Sequence, residues 1–246
     1  MPRPKHGPLA AVFAGATLVL SLPAAAKERG VIISSEATKN MQCAFGVCVP
    51  TARNAVLNVR DLETMLESGS VEVTTTGTDV EAEDMDIDAP LAWEGTSTLT
   101  LDSYHAITIT DAVVVKGMGS LELTINNGSE YGTLVFAKKG HVTFENLASS
   151  LVFNGQDYTL VGDIATLASD IAANPAGNFA LAKNYDAAGD GTYSGAPVAT
   201  TFSGFFEGLG NRISNLAIDA VLTPQSTSGY AVFSVTPDVP CGMSAS

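Results

Sequence analysis

Basic residues, cysteine, histidine and tryptophan are all scarce in this 246-residue chain, which has 12 Lys+Arg against 26 Asp+Glu, three cysteines, three histidines and one tryptophan. The acidic excess gives a formal charge of −14. That balance repels nucleic-acid phosphates and anionic lipid headgroups, so DNA and RNA are excluded as expected partners. Neither a G-x-S-x-G elbow nor an H-E-x-x-H pair occurs, which removes the signatures of the α/β-hydrolases and of one zinc-protease class. Beyond the N-terminus no apolar run is long enough to cross a bilayer.

The N-terminus has the layout of a secretory signal peptide. Arg3 and Lys5 precede an apolar run over residues 9–22, and Ala24, Ala25 and Ala26 precede the charged Lys27. An uncleaved anchor is the competing reading, but the run is short for a span and ends in Ser-Leu-Pro-Ala. Residues 1–26 are therefore expected to be removed on export through the Sec pathway, leaving a mature chain that starts at Lys27 with ten basic and 26 acidic residues, a formal charge of −16. Cys43 and Cys48 lie close together in CAFGVC, and an oxidising compartment permits a short-loop disulfide between them. A zinc pair would need two further ligands that the neighbourhood does not offer. Cys241 is left over, either free or paired between chains.

Between about residues 71 and 218 the chain is a series of short β-rich runs, among them STLTLD, AITITD, LELTINNG, HVTFEN and SLVFNG, each ending in residues that tolerate turns. Similar patches around Leu99, Leu121 and Val142 recur about every 21 residues, the scale of one solenoid coil after another. The expected fold is all-β, a right-handed parallel β-helix with short helical insertions; a β-sandwich is the alternative. Two segments depart from the β pattern. NVRDLETMLESGS places Val59, Leu62 and Leu66 at helical spacing and stops at Gly69, and GDIATLASDIAANPAGN does the same with Ile164, Leu167 and Ile171 after an Asp163 cap. The expected organisation is a segment at 27–57 carrying the cysteine pair, a β-helix over 58–222 and an irregular tail over 223–246.

Within that series, FSGFFEGLGNRISNLAID contains Gly208-Leu209-Gly210, the opening of a dinucleotide loop, but it has no third glycine and no helix follows. The stretch is read as a structural turn in which Gly208 and Gly210 adopt angles a Cβ would oppose, with Phe202, Phe206 and Ile213 inside. FENL and ISNL are read as the same turn used twice, with Asn146 and Asn215 bonding turn backbone or stacking in a ladder.

The acidic run over residues 79–90 offers Glu81, Glu83, Asp84, Asp86 and Asp88 to calcium, but its alternation with Met85 and Ile87 reads as a solvated strand edge. DAAGDG, residues 186–191, lacks a closing glutamate and reads as a turn. Asp102, Asp111, Glu122 and Glu145 are the acids a β-helix enzyme would use; each is expected at a strand end, and no spacing singles out a pair. His105 and His141 lie in separate runs and are expected at surface or turn positions, and Trp93 in packing rather than as a sugar platform.

NFALAKNYDAAG followed by FSGFFEGLGNRISNLAI resembles the GLUG-type motif of bacterial secreted β-helix proteins over residues 178–218. Leu181, Ala182, Asp186, Ala187, Phe202, Gly204, Phe206, Gly208, Gly210, Ile213, Asn215, Leu216 and Ile218 stand at matching positions. Glu207, Phe179 and Asn211 replace the motif's aspartate, first tyrosine and histidine. Upstream, residues 61–77 and 86–128 are similar to the repeats of filamentous-haemagglutinin-like adhesins. An Asn-Pro-Asn-Gly-Ile export hallmark and a C-terminal membrane barrel are absent, and a tail that loses the pattern points to a truncated relative. The resemblance implies a secreted or cell-surface exoprotein, adhesin-like, binding host or matrix glycans or proteins without catalysis or cofactor. A carbohydrate-active β-helix enzyme, a polysaccharide lyase or hydrolase, is the alternative.

Overall fold

The computed structural model describes residues 30–219. The signal-peptide segment, the tail over 223–246 and Cys241 lie outside the described residues. Strand β1 (Gly30–Ser34) leads to a hairpin of β2 (Met41–Ala44) and β3 (Val47–Pro50), then to β4 (Asn54–Asn58), helix α1 (Val59–Ser68) and β5 (Val71–Thr74). A small pair, β6 (Thr76–Gly77) and β7 (Val80–Glu81), precedes β8 (Asp84–Ile87), β9 (Leu91–Trp93) and β10 (Thr98–Asp102). The sequence of short strands then repeats as β11 (Ile107–Ile109), β12 (Ala112–Val115) and β13 (Ser120–Thr124), and again as β14 (Leu134–Phe136), β15 (His141–Phe144) and β16 (Ser150–Phe153). Next come β17 (Gln156–Val161), helix α2 (Ile164–Ala173) and β18 (Phe179–Leu181). Five two-residue strands complete the described chain: β19 (Tyr185–Asp186), β20 (Thr192–Tyr193), β21 (Phe206–Glu207), β22 (Ile213–Ser214) and β23 (Ala217–Ile218).

The fold is all-β with parallel sheets. One sheet has the order β14-β11-β8-β1-β4, a second β2-β3-β5-β10-β13-β16-β17-β18-β21, and a third β15-β12-β9. Each strand of the β8-β9-β10 set pairs in parallel with its counterpart in β11-β12-β13, and that set pairs likewise with β14-β15-β16. An antiparallel sandwich would not pair its strands this way. Among the described residues, antiparallel pairing is confined to β2–β3, β6–β7 and β16–β17, apart from one isolated bridge.

The register explains the burial. Leu99 faces Val71 and Leu121 along the second sheet, and Leu121 faces Leu151; all four are buried. Val31, Met85 and Ile107 align in the first sheet, and Leu91, Val113 and Val142 in the third. Thus the step from Leu99 to Leu121 is a true register, but Val142 belongs to another sheet. The partner after Leu121 is Leu151, 30 residues on, because a longer loop follows β13.

Both helices form where the apolar spacing placed them. Val59, Leu62 and Leu66 are the buried face of α1, and Asn58 caps it, with Oδ1 accepting from Arg60 N–H. Glu63 Oε1 accepts the Ala92 backbone N–H at 2.9 Å, so α1 closes the free edge of β9. In α2, Asp163 accepts from Thr166 N–H, and Ile164, Leu167 and Ile171 are buried. The disulfide joins Cys43 and Cys48, which face each other across β2 and β3.

Candidate binding surface

The acidic strand β8 is not an edge. It lies between β1 and β11, and Asp86, between Ile32 and Thr108 in register, is only 7 % exposed. The acids around it serve the corner that follows: Asp84 Oδ1 sits 2.7 Å from His105 Nδ1 and accepts Ala106 N–H, while Asp88 accepts from the Thr110 hydroxyl and meets Lys138 Nζ at 3.6 Å. Among the described residues no three His, Cys, Asp or Glu side chains gather as a metal centre.

The enzyme-type acids are engaged separately. Asp102 accepts both of its bonds from Asn127 Nδ2, and Glu122 accepts from the Thr100 hydroxyl at 3.1 Å. Glu122 stands in the middle of β13 rather than at a strand end. Lys139 Nζ, 2.9 Å from Asp111, holds that carboxyl below the usual range. Glu145 is exposed just after β15. His141 lies in β15, its Nδ1 2.8 Å from the Lys139 carbonyl. Trp93 is buried in the main core, with its indole N–H on the Ser97 carbonyl.

Residues 186–191 form a turn: Asp186 caps a short 3-10 helix (Ala187–Gly189) through Ala188 N–H and accepts from Asn215 Nδ2. Asp190 accepts from the hydroxyls of Tyr185 and Tyr193, and these bonds push both phenols up to about 12. Asn146 instead accepts Ala148 N–H within its own turn, so the two asparagines do different work: one braces a turn backbone and the other donates to a carboxylate.

The glycine-rich stretch over 202–218 is a seam. Leu209, not noticed between its glycines, is 2 % exposed and part of the main core; its carbonyl accepts Val142 N–H at 2.9 Å. Asn211 Nδ2 donates to the Val142 and Leu181 carbonyls. Gly210 has φ +73° and a Cβ there would press on the Gly140 carbonyl, whereas a Cβ at Gly208 would meet only the Asn211 carbonyl at an ordinary 3.8 Å, so only one glycine of the pair is required. Gly204 is needed for a different reason, since a Cβ there would stand 1.9 Å from the Gly177 carbonyl oxygen. Phe202 and Phe206 do not enter the main core. They are half-buried against a smaller cluster of Val161, Leu167, Ile171, Phe179 and Val198, because α2 supplies an apolar face there. Ile213 and Leu216 are half-buried, as is Ile218 in β23, and Asn215 is exposed with φ +54°.

Burial against β18 and its neighbours raises the Glu207 carboxyl above its ordinary value. A folded-state value above the unfolded one means that stability is lost as pH rises through that window. Glu207→Gln should therefore raise the melting temperature at pH 7 and bring no gain below about pH 4, where the unfolded glutamate is also protonated. Thermal melts at the two pH values check this.

One corner carries an exposed aromatic that the sequence pattern does not announce. Loops stack at one corner through His105 N–H to the Glu83 carbonyl and Asn126 N–H to the His105 carbonyl. Asn126 closes the loop over residues 126–132 by bonding both the N–H and the carbonyl of Gly132. Asn127 clamps Asp102, Ser129 Oγ donates to the Tyr104 carbonyl at 2.9 Å, and Gly128 lies against the Tyr104 ring, where a Cβ would collide. Tyr131 then projects at 88 % exposure with φ +69°, beside Glu130. The doubled asparagine and the two glycines of NNGSEYG were the available signal.

Comparison with known proteins finds no matching family model, curated protein or solved structure.

Proposed function

We propose that this is a secreted or cell-surface exoprotein of adhesin type, a right-handed parallel β-helix that binds host or matrix glycans or proteins through its corner loops without catalysis. The observation that carries the reading is Tyr131, an exposed aromatic held in a left-handed backbone on a loop that Asn126 closes on Gly132 and that Asn127, Gly128 and Ser129 tie to Asp102 and Tyr104. Exposed aromatics stack on sugar faces and anchor protein interfaces, and a rigid mount lowers the entropy lost on binding. The β-helix assignment is supported by three successive strand triplets in parallel register, and right-handed crossovers are the strong rule for parallel sheets. The resemblance of residues 178–218 to the GLUG-type motif, and the signal-peptide layout of residues 1–26, support an exported protein. Among the described residues no helix is long and apolar enough to cross a membrane.

The test is a glycan and matrix-protein array probed with the mature chain and with Tyr131→Ala. The reading expects binding that falls at least about tenfold in the variant, the loss of one stacked aromatic, with an unchanged melting temperature. Steady release of product from a polysaccharide, abolished by Asp→Asn changes, would replace it with the enzyme reading.

A further inference from the structure

Asn-Gly occurs twice in the chain, at 127–128 and at 154–155. The pair is chemically labile, because a glycine has no Cβ to keep its backbone nitrogen away from the preceding side-chain amide. Asn154-Gly155 forms the two-residue turn between β16 and β17, with φ +48° and +72°, the conformation this pair favours. It is tied on every side. Phe153 and Gln156 are paired across the hairpin, Asn154 N–H donates to the Leu123 carbonyl, and its Oδ1 accepts Ile125 N–H at 2.9 Å. Backbone and side chain are both held, and ring closure would have to turn both.

Asn127-Gly128 lies in the loop that carries Tyr131, and both residues are exposed. Their identities are fixed by packing. Asn127 Nδ2 donates to both oxygens of Asp102, at 2.8 and 2.7 Å, and at Gly128, with φ +139°, a Cβ would stand 2.4 Å from the Tyr104 ring. The clamp needs an amide and the next position needs a glycine, so the loop is built on the labile pair. The two bonds to Asp102 engage Nδ2 alone, and Gly128 stands outside any strand.

We propose that Asn127 is a self-modifying site whose conversion to a carboxylate releases the Tyr131 corner, a regulation that rests on the reading of Tyr131 as the binding aromatic. The Gly128 nitrogen attacks Asn127 Cγ, the new C–N bond closes a five-membered imide, and the old Cγ–Nδ2 bond breaks. Ammonia leaves with the proton that the Gly128 nitrogen loses. Water then opens the imide at either carbonyl, giving aspartate or isoaspartate at 127. No oxidant or cofactor is consumed. The product reverses the clamp, because a group that donated twice to Asp102 becomes a second carboxylate facing it, and like charges at that distance oppose each other. The backbone bonds that the clamp supports, Asn127 N–H to the Ser103 carbonyl and Gly132 N–H to Asn126 Oδ1, then open more often.

The test incubates the mature chain at mildly alkaline pH, maps the sites of amide-to-acid conversion by peptide mass spectrometry, and follows hydrogen exchange at the Asn127 and Gly132 amides. Conversion at Asn127 is expected to run several times faster than at Asn154. Asn127→Asp, the aspartate product made directly, should lose protection at both amides by at least about tenfold, the weight of one hydrogen bond to a charged group. Asp102→Asn added to Asn127→Asp puts an amide opposite a carboxylate again and should restore protection, which an unfolding effect of the first change would not allow. An intact Asn127 while Asn154 converts, unchanged protection in Asn127→Asp, or no recovery in the exchanged pair each overturns the proposal. Neither readout uses a ligand, so arrays on which Tyr131→Ala binds like wild type would strike the binding reading by itself.

Discussion

Phe144→Ala is expected to destabilise the protein by about 3–5 kcal/mol, the range for emptying a fully buried phenylalanine site. Phe144 has no exposed surface and is among the largest fully buried side chains. It ends β15, lies opposite Val115 in register, and its N–H donates to the Ala182 carbonyl at 2.7 Å. A cavity here sits where the third sheet meets the later part of the chain, so neighbours on both sides lose contacts. Phe206→Ala should cost clearly less, since that ring is half-buried. Denaturant unfolding of the two variants beside wild type gives the comparison, and a Phe144→Ala cost under about 1 kcal/mol would contradict the packing described.

Gly210→Val carries the second large effect. Its φ of +73° costs a β-branched residue about 1–3 kcal/mol. In addition, a Cβ would stand 2.5 Å from the Gly140 carbonyl oxygen and 2.9 Å from His141 Cα, both backbone atoms that cannot swing aside. Overpacking of this kind adds about 1–3 kcal/mol. Gly208→Ala, with nothing nearer than the Asn211 carbonyl at 3.8 Å, should stay within about 0.5 kcal/mol of wild type. Equal effects at the two glycines would show that the turn is not built as described.

Features governed by local rules could be read from the sequence. Both helices declare themselves by apolar period, the second also by Asp163 at the cap, and the cysteine pair by its spacing. Alternation showed which residues of a strand point inward, as for Leu99 and Leu101. It could not show which sheet a strand joins, because Val142 alternates like any other inward residue while its neighbours are Val113 and Leu209. Loop length hid the 30-residue step to Leu151 for the same reason. The acids of β8 looked like a solvated edge because sequence does not reveal the neighbours on either side. Tyr131 was missed because its importance lies in exposure and a left-handed backbone, and neither leaves a periodic trace.

Cysteine pairs on the outer face of β10 and β13 test the central claim, parallel stacking in register, most directly. In a Cys241→Ser background, Thr98→Cys/Ser120→Cys and Asp102→Cys/Thr124→Cys place thiols on directly paired residues, within the reach of a disulfide. Parallel register predicts that both pairs oxidise rapidly and that Thr98→Cys/Thr124→Cys and Asp102→Cys/Ser120→Cys do not. The reverse pattern, with the crossed pairs forming and the aligned pairs remaining reduced, would mean antiparallel strands and would contradict the account.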